Sequence, residues 1–474
     1  MNVKKSMFIN GEWVQAEQYS PLLAPYSGDT LAQIPMASHD QIEAAIESAE
    51  RAAATMRKLP AHQRGAFLEK IVQLLEQRAE EAARIIALEA GKPIKTARGE
   101  VARTIQTYKF AAEEAKRIHT DTLPLDAAPG GEGRVAYTVR EPLGVIGAIT
   151  PFNFPMNLVA HKVGPALAAG NSVVLKPASQ TPLSSLFLAE IVQEAGLPAG
   201  ALNVITGSGG TVGDKLVEDP RVKKITFTGS PSVGIGIRNR AGLKRVTLEL
   251  GSNSAVIVDR DVNLDEVVSR CVFGAFAYSG QVCISVQRIY VDETIYPAFV
   301  EAFVEHTRKL KGGDPLDEST DYSAMINPKE TGRALSWIEE AKLRGATVLC
   351  GGQTEGRILP PTVLTDVPLD AKVSCQEVFG PVVIIHPVPS AEAAIPLVND
   401  SRYGLQAGIY TNNLKLAFQA AEELHVGGVM INDIPTFRVD HMPYGGVKES
   451  GTGREGVRYA IEEMTELKLV VFKK

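Results

Sequence analysis

From Leu143 to about Ala241 short β-rich runs alternate with helical ones, and this alternation restricts the possible folds more than any other feature. "GVIGAIT" precedes the helical "NLVAHKVGPALAAG", and "SVVLKP" precedes "LSSLFLAEIVQEAG". "ALNVITG" precedes "GTVGDKLVED", and "VKKITFTGS" leads to a helix from about Ser232 to Ala241. Strands joined through helices pair in parallel, and a parallel sheet needs cover on both faces. A second α/β stretch starts near Val246 and runs to about Val439, with "RVTLEL", "SAVIVD", "VQRIYVD" and "VVIIHPV" as its strands. At 474 residues the chain exceeds what one core organises, so two to three domains are expected.

Before the alternation, about Asp40 to Lys116 is helical, with apolar residues spaced three and four apart and a stop at Gly91. Two segments stand outside this scheme. "TLPLDAAPGGEGRVAYTVREP" is expected to be a β-hairpin broken at Pro129-Gly130-Gly131, and "LKLVVFKK" is an apolar strand with no sequence neighbour to pair with. An unpaired strand invites another subunit, so both are expected to serve oligomerisation. The net charge of −6 provides no basic footprint for nucleic acid or an anionic membrane. No apolar run reaches bilayer length and no leader is apparent after Met1, so a cytoplasmic protein is expected. Cys271, Cys283, Cys350 and Cys375 form no CxxC pair, which suits a reducing compartment, and no metal site is expected.

Chemistry could reside in several places, each with a plainer alternative. "GSGGTVG" sets Gly207, Gly209 and Gly213 in a GxGxxxG pattern, a possible pyrophosphate turn or only a flexible connection. "FTGSPSVG" offers Gly229 and Ser230 ahead of a helix, as an anion site or an ordinary cap. Glu249 ends an apolar strand, where a carboxylate is either solvated or a general base at a crevice. Glu377 in "CQEVFGP" has the same two readings. Asn153 in "TPFNFP" is an oxyanion donor or a turn former. Cys283, after Ser279-Gly280-Gln281 and before a strand, is core filling or a presented nucleophile. The eight histidines form no metal cluster and no local partner for a cysteine hydrolase, though such partners meet in space rather than in sequence.

In order along the chain, "FINGEW", "TPFNFP", "LKPASQTP", "EAGLPAGALNVITG", "ITFTGS", "LELG", "SGQVC", "CQEVFGP" and "MPYGGVKESGTGREG" resemble the aldehyde dehydrogenase superfamily across nearly its whole length. The resemblance implies an α/β fold with two Rossmann-like α/β domains and a small β oligomerisation element. Cofactor binding would fall to 1–118 and 141–248, catalysis to 249–440, oligomerisation to 119–140 and 457–474, with 441–456 connecting them and lining the site. It further implies Cys283 as nucleophile, Asn153 as oxyanion donor beside the Cys283 amide, and Glu249 as base for thioester hydrolysis. Cofactor contacts are implied at Thr150, Pro151, Phe152, Lys176, Ser179, Gly209, Gly213, Phe227, Thr228, Gly229, Ser230, Leu250, Gly251, Glu377 and Phe379. The Gly207–Gly213 loop then belongs near the adenine end rather than around the pyrophosphate.

NAD-preferring relatives often carry glutamate where this chain has Ser179. A neutral hydroxyl beside Lys176 implies that NADP is accepted alongside NAD, or preferred. Ser252 replaces a second glycine after Glu249, so that turn is expected to differ. Phe154, Val282, Ile284 and Arg438 are implied substrate residues. Val282 lacks the arginine of relatives acting on phosphorylated three-carbon aldehydes, whereas Arg438 in "TFRVDHMPYGG" suits a carboxylate, sulfonate or phosphate, or is only a surface arginine. This pattern looks like lactaldehyde dehydrogenase relatives. The expected activity is oxidation of a short hydroxylated or anionic aldehyde by a homodimer or homotetramer. Rival expectations are a CoA-acylating semialdehyde dehydrogenase, disfavoured by the presence of Glu249, a non-catalytic homologue, and a cysteine hydrolase.

Overall fold

The computed structural model describes residues 3–474. Its first large sheet places Leu202–Val204, Ser172–Lys176, Val145–Ile149, Val222–Thr228 and Arg245–Glu249 side by side and parallel. Met7–Ile9 and Glu12–Val14 add antiparallel strands at one edge, and Gly451–Thr452 adds one beside Glu249 at the other. Val145–Ile149 and Ser172–Lys176 are buried along their whole length, as central strands covered on both faces must be. Strand order reverses at Val145–Ile149, whose neighbours are Ser172–Lys176 on one side and Val222–Thr228 on the other. A crevice at the carboxyl ends of strands flanking such a reversal is where an open α/β sheet receives a ligand.

The second sheet orders Thr347–Cys350, Thr362–Thr365, Val382–Val388, Arg288–Asp292, Ala255–Val258, Gln406–Tyr410 and Gly428–Ile431. All pairs are parallel except that of Thr347–Cys350. Among the described residues no helix is long and apolar enough to cross a membrane.

The early helices are His39–Lys58, Ala61–Gln77, Ala79–Ala90 and Ile94–Glu114. Ser38 starts the first through a capping box with Gln41, and Gly91, in the left-handed region at φ 64°, stops the third. Ile94–Glu114 packs against both Ala61–Gln77 and Asn157–Ala168, and this brings its buried face to the site.

Two expectations need correction. "RVTLEL" belongs to the first sheet, paired in parallel with Val222–Thr228, so the second α/β unit begins only after Glu249. The C-terminal strand Thr465–Lys473 has a partner in its own chain, Arg134–Pro142, in unbroken antiparallel register from Thr465↔Pro142 to Lys473↔Arg134. Its other edge stays open, because the three-stranded sheet runs Thr465–Lys473, Arg134–Pro142, Thr122–Leu123. Helix Val457–Glu463 packs on Asn157–Ala168 and Ile94–Glu114.

Candidate active site

Cys283 does not start a strand. It sits in an irregular turn five residues before Arg288–Asp292, and it borders two cavities. Tyr278, Ser279 and Gly280 ahead of it all have positive φ, at 49°, 53° and 68°. For non-glycine residues this conformation costs on the order of 1–3 kcal/mol each, so the surroundings must impose it. The Tyr278 hydroxyl donates to the Ala90 carbonyl at 2.7 Å, and the Ser279 hydroxyl to the Ser323 carbonyl at 2.8 Å. The Ile326 amide donates to the Gln281 side chain at 2.9 Å. A Cβ on Gly280 would stand 2.1 Å from the Gly380 carbonyl oxygen, so glycine is required twice over.

On one side of Cys283 lies a groove of about 1110 Å³ along the carboxyl ends of the first sheet. Asn153 and Glu249 border it, as do Thr150, Pro151, Phe152, Lys176, Ser179, Gly209, Gly213, Phe227, Thr228, Gly229, Ser230, Leu250, Gly251, Glu377 and Phe379. The Ser230 side chain makes no cap bond to the helix Pro231–Arg240, so that helix start has no side-chain cap at the groove. Lys176 donates to the Pro177 carbonyl at 3.0 Å, and burial pulls its ammonium down to about 8. The Ser179 hydroxyl donates to the Gly207 carbonyl at 3.3 Å. Glu377 accepts from the Ser252 amide at 3.0 Å, and burial pushes its carboxyl up to about 7. The substituted turn is thus accommodated: the backbone of Ser252 holds Glu377 while its hydroxyl pairs with Ser254 at 3.1 Å. Phe379, at φ 47°, meets Phe152 edge-on at 5.7 Å.

Glu249 is 3% exposed, and neither carboxylate oxygen has a hydrogen-bond partner among the described residues. Burial, reinforced by the nearby Glu455, raises it well above the ordinary carboxylate range, against the pull of Arg438 and Lys162. A buried, unpartnered carboxyl of that kind is suited to taking a proton from water. Asn153 donates one amide hydrogen to the Gln281 carbonyl at 3.0 Å, which ties it to the cysteine turn. From behind, buried Lys92 donates to the Asn153 carbonyl at 2.6 Å and pairs with buried Glu100. Glu100 also accepts from the Met156 and Asn157 amides at 2.9 and 3.2 Å.

On the other side of Cys283 is a pocket of about 600 Å³, bordered by Phe154, Val282, Ile284 and Arg438 together with Phe276, Arg103 and Tyr444. Arg438 is not a surface arginine; its side chain is 5% exposed. It donates to Glu455 at 2.9 Å, and Lys162 donates to the other oxygen of the same carboxylate at 2.7 Å. Burial works to raise Glu455, but Lys162 and Arg438 together hold it well below the carboxylate range. Arg103 pairs with Asp440 at 2.8 Å, and Asp440 also meets His161 at 2.9 Å. Residue patterns gave no hint of Lys92, Glu100, Arg103, Lys162 or Glu455. Tyr444 lay inside the quoted "MPYGG", yet nothing in the sequence showed that its hydroxyl reaches to 3.0 Å from the Cys283 sulfur.

The sequence model of the aldehyde dehydrogenase family matches residues 13–470. The 3-sulfolactaldehyde dehydrogenase of Priestia aryabhattai is 50% identical over 465 residues, covering 98% of this chain and 97% of that protein. The crystal structure of aldehyde dehydrogenase 21 from Physcomitrella patens, in complex with the reaction product succinate, superposes with a TM-score of 0.98 at 42% identity, over 100% of this chain and 99% of that one. A glyceraldehyde-3-phosphate dehydrogenase from Methanocaldococcus jannaschii, complexed with NADP, superposes with a TM-score of 0.93 at 41% identity, over 97% and 100%.

Proposed function

The chain belongs to the aldehyde dehydrogenase family and is an NAD(P)-dependent enzyme of it, and from that premise we propose that it oxidises a short 2-hydroxyaldehyde bearing an anionic group, of the 3-sulfolactaldehyde kind, with NADP preferred. One observation carries the substrate class: Arg438 and Arg103 border the same pocket as Cys283. Two buried cations, Arg438 and Lys162, share the single carboxylate of Glu455, and Glu249 is biased toward its neutral form. That leaves an excess positive charge in a poorly solvated site, which favours a sulfonate, carboxylate or phosphate. Phe154, Phe276, Val282 and Ile284 supply apolar walls for a short carbon chain.

In the proposed mechanism the Cys283 sulfur attacks the aldehyde carbon. Negative charge gathers on the former carbonyl oxygen, and the Asn153 amide and the Cys283 backbone N–H stabilise it, each donor contributing a few kcal/mol. The nicotinamide cofactor, when bound, supplies the hydride acceptor. Glu249 then takes a proton from the water that hydrolyses the thioester on Cys283 and releases the acid. The groove suits such a cofactor. Thr150 and Thr228 bring to its wall buried hydroxyls that have no partner among the described residues, and the start of helix Pro231–Arg240 has no side-chain cap there. Lys176 and Ser179 would meet the adenosine ribose and its 2′-phosphate, Gly229 and Ser230 the pyrophosphate side, and Glu377 and Phe379 the nicotinamide side.

The C-terminal sheet is proposed to join subunits into a homodimer or homotetramer. Supporting this, Leu467, Leu469 and Phe472 on its open edge strand are 55%, 52% and 55% exposed. Four free cysteines support a cytoplasmic location.

The test is steady-state formation of reduced cofactor with 3-sulfolactaldehyde, lactaldehyde, succinic semialdehyde, glyceraldehyde 3-phosphate, propanal and benzaldehyde. The highest kcat/KM is expected for a short anionic 2-hydroxyaldehyde with NADP. Equal or better turnover of propanal would break the assignment to anions, and a more than tenfold preference for NAD would break that to NADP. CoA is expected to leave the product a free acid.

A further inference from the structure

Tyr444 is 2% exposed, and its backbone exchanges two hydrogen bonds with Glu455, the amide of each donating to the carbonyl of the other at 3.1 and 2.7 Å. Glu455 in turn holds Arg438, whose guanidinium carbon stands 3.6 Å from the centre of the Tyr444 ring. The ring is thus clamped by backbone on one side and a cation over its face on the other. Its hydroxyl lies 3.0 Å from the Cys283 sulfur, and among the described residues that sulfur is its one hydrogen-bond partner. We propose that Tyr444 is a catalytic residue whose hydroxyl donates a hydrogen bond to the Cys283 thiolate, stabilising the attacking form and directing its free lone pairs into the junction of groove and pocket. This takes Cys283 as the nucleophile of the reaction proposed above.

The chemistry of the two groups fits. Burial pushes the Cys283 thiol up to about 11, and the two opposing influences are the Tyr444 hydrogen bond and the charge of Arg438. Burial also raises Tyr444 well above an ordinary phenol, so it keeps its proton while the sulfur loses one. Among the described residues the cysteine has no histidine hydrogen-bonded to it, and the phenol is the one side-chain donor that reaches it.

The experiment reads the sulfur directly, in the full-length enzyme with and without NADP. Iodoacetamide alkylation of Cys283 is followed by mass spectrometry from pH 6 to 10. Tyr444→Phe removes one oxygen and keeps the ring under Arg438. The apparent thiol pKa is expected to rise by about one unit, which slows alkylation at pH 8 about tenfold, with NADP affinity within twofold of wild type. An alkylation profile superimposable on that of wild type would overturn the proposal. Mono- and difluorinated tyrosine at 444 preserve the shape and grade the acidity of the phenol, so they decide the matter even if Tyr444→Phe does not fold. The thiol pKa should fall in step with phenol acidity, and a flat series would sink the donor role. If alkylation responds in this way while no aldehyde is turned over, Tyr444 stands and the proposed function falls.

Discussion

The groove on one side of Cys283 runs along the carboxyl ends of parallel strands, whereas the pocket on the other side is bordered by residues from separate segments, among them Arg103 and Arg438 held in ion pairs. The first follows from topology. Once strand order reverses at Val145–Ile149, a crevice must open there whatever the side chains are. The second follows from charge placement: Lys162 meets the Arg438–Glu455 pair from 293 positions before Glu455, and none of the three is informative alone. The groove and the pocket are therefore under different control, and the two should respond differently to the same kind of perturbation.

The largest separation is expected at the residue both cavities share. Cys283→Ala should lower turnover by at least about 10⁴-fold while leaving NADP affinity within twofold, as read by fluorescence titration. Residual turnover above that level would mean that the pocket can act without the nucleophile. Glu249→Gln should slow the steady state by about 10² to 10⁴-fold yet preserve a stoichiometric burst of reduced cofactor, because only hydrolysis needs the base. In the wild type, hydrolysis should weaken as pH falls through the raised pKa of Glu249, since the protonated carboxyl cannot accept a proton. A rate independent of pH on the acid side, with hydrolysis limiting, would remove Glu249 from that role.

Arg103→Leu should act on the pocket alone, lowering kcat/KM for an anionic aldehyde by about 10 to 100-fold and for propanal by less than threefold. Equal losses on both substrates would show that Arg103 only supports the fold through Asp440. The smallest effect belongs to the groove. Lys176, pulled down to about 8 by burial, carries its charge below that pH and loses it above. The preference for NADP over NAD should therefore shrink severalfold between pH 7 and 9, measured as the ratio of the two kcat/KM values. An unchanging ratio would move recognition of the 2′-phosphate elsewhere.

The same division explains what the sequence could disclose. Residues such as Thr150, Gly229 and Glu249 stand where a buried strand breaks into small or polar residues, so a local pattern marks them and the parallel sheet collects them. Lys92 follows a helix-ending glycine and looks like a surface lysine there, but it donates to Asn153 61 positions later. No periodicity encodes that distance. Arg438 was singled out, but its pairing with Glu455 could not be, because ion pairs depend on how two loops pass each other. The C-terminal strand fails in the opposite direction. Its apolar pattern was plain, but its partner lay more than 320 residues earlier in the same chain, as the Lys468–Glu141 contact across the pair shows, and proximity in sequence was the wrong guide.

The separation of Cys283 and Tyr444 by 161 positions also sets an order of events during synthesis. At about 5–20 residues per second, the cysteine leaves the peptidyl centre roughly 10 to 30 s before the tyrosine that will touch it. Lys162 is made earlier still, but Arg438, Glu455 and the strand beside Glu249 all come late. During that interval the sulfur has neither a phenol beside it nor a neighbouring guanidinium, and it is an ordinary solvated thiol, not yet pushed up by burial. The nascent chain thus carries that sulfur as an ordinary thiol, and both the enclosure that suppresses its ionisation and the phenol and guanidinium that offset it arrive only with the folded site.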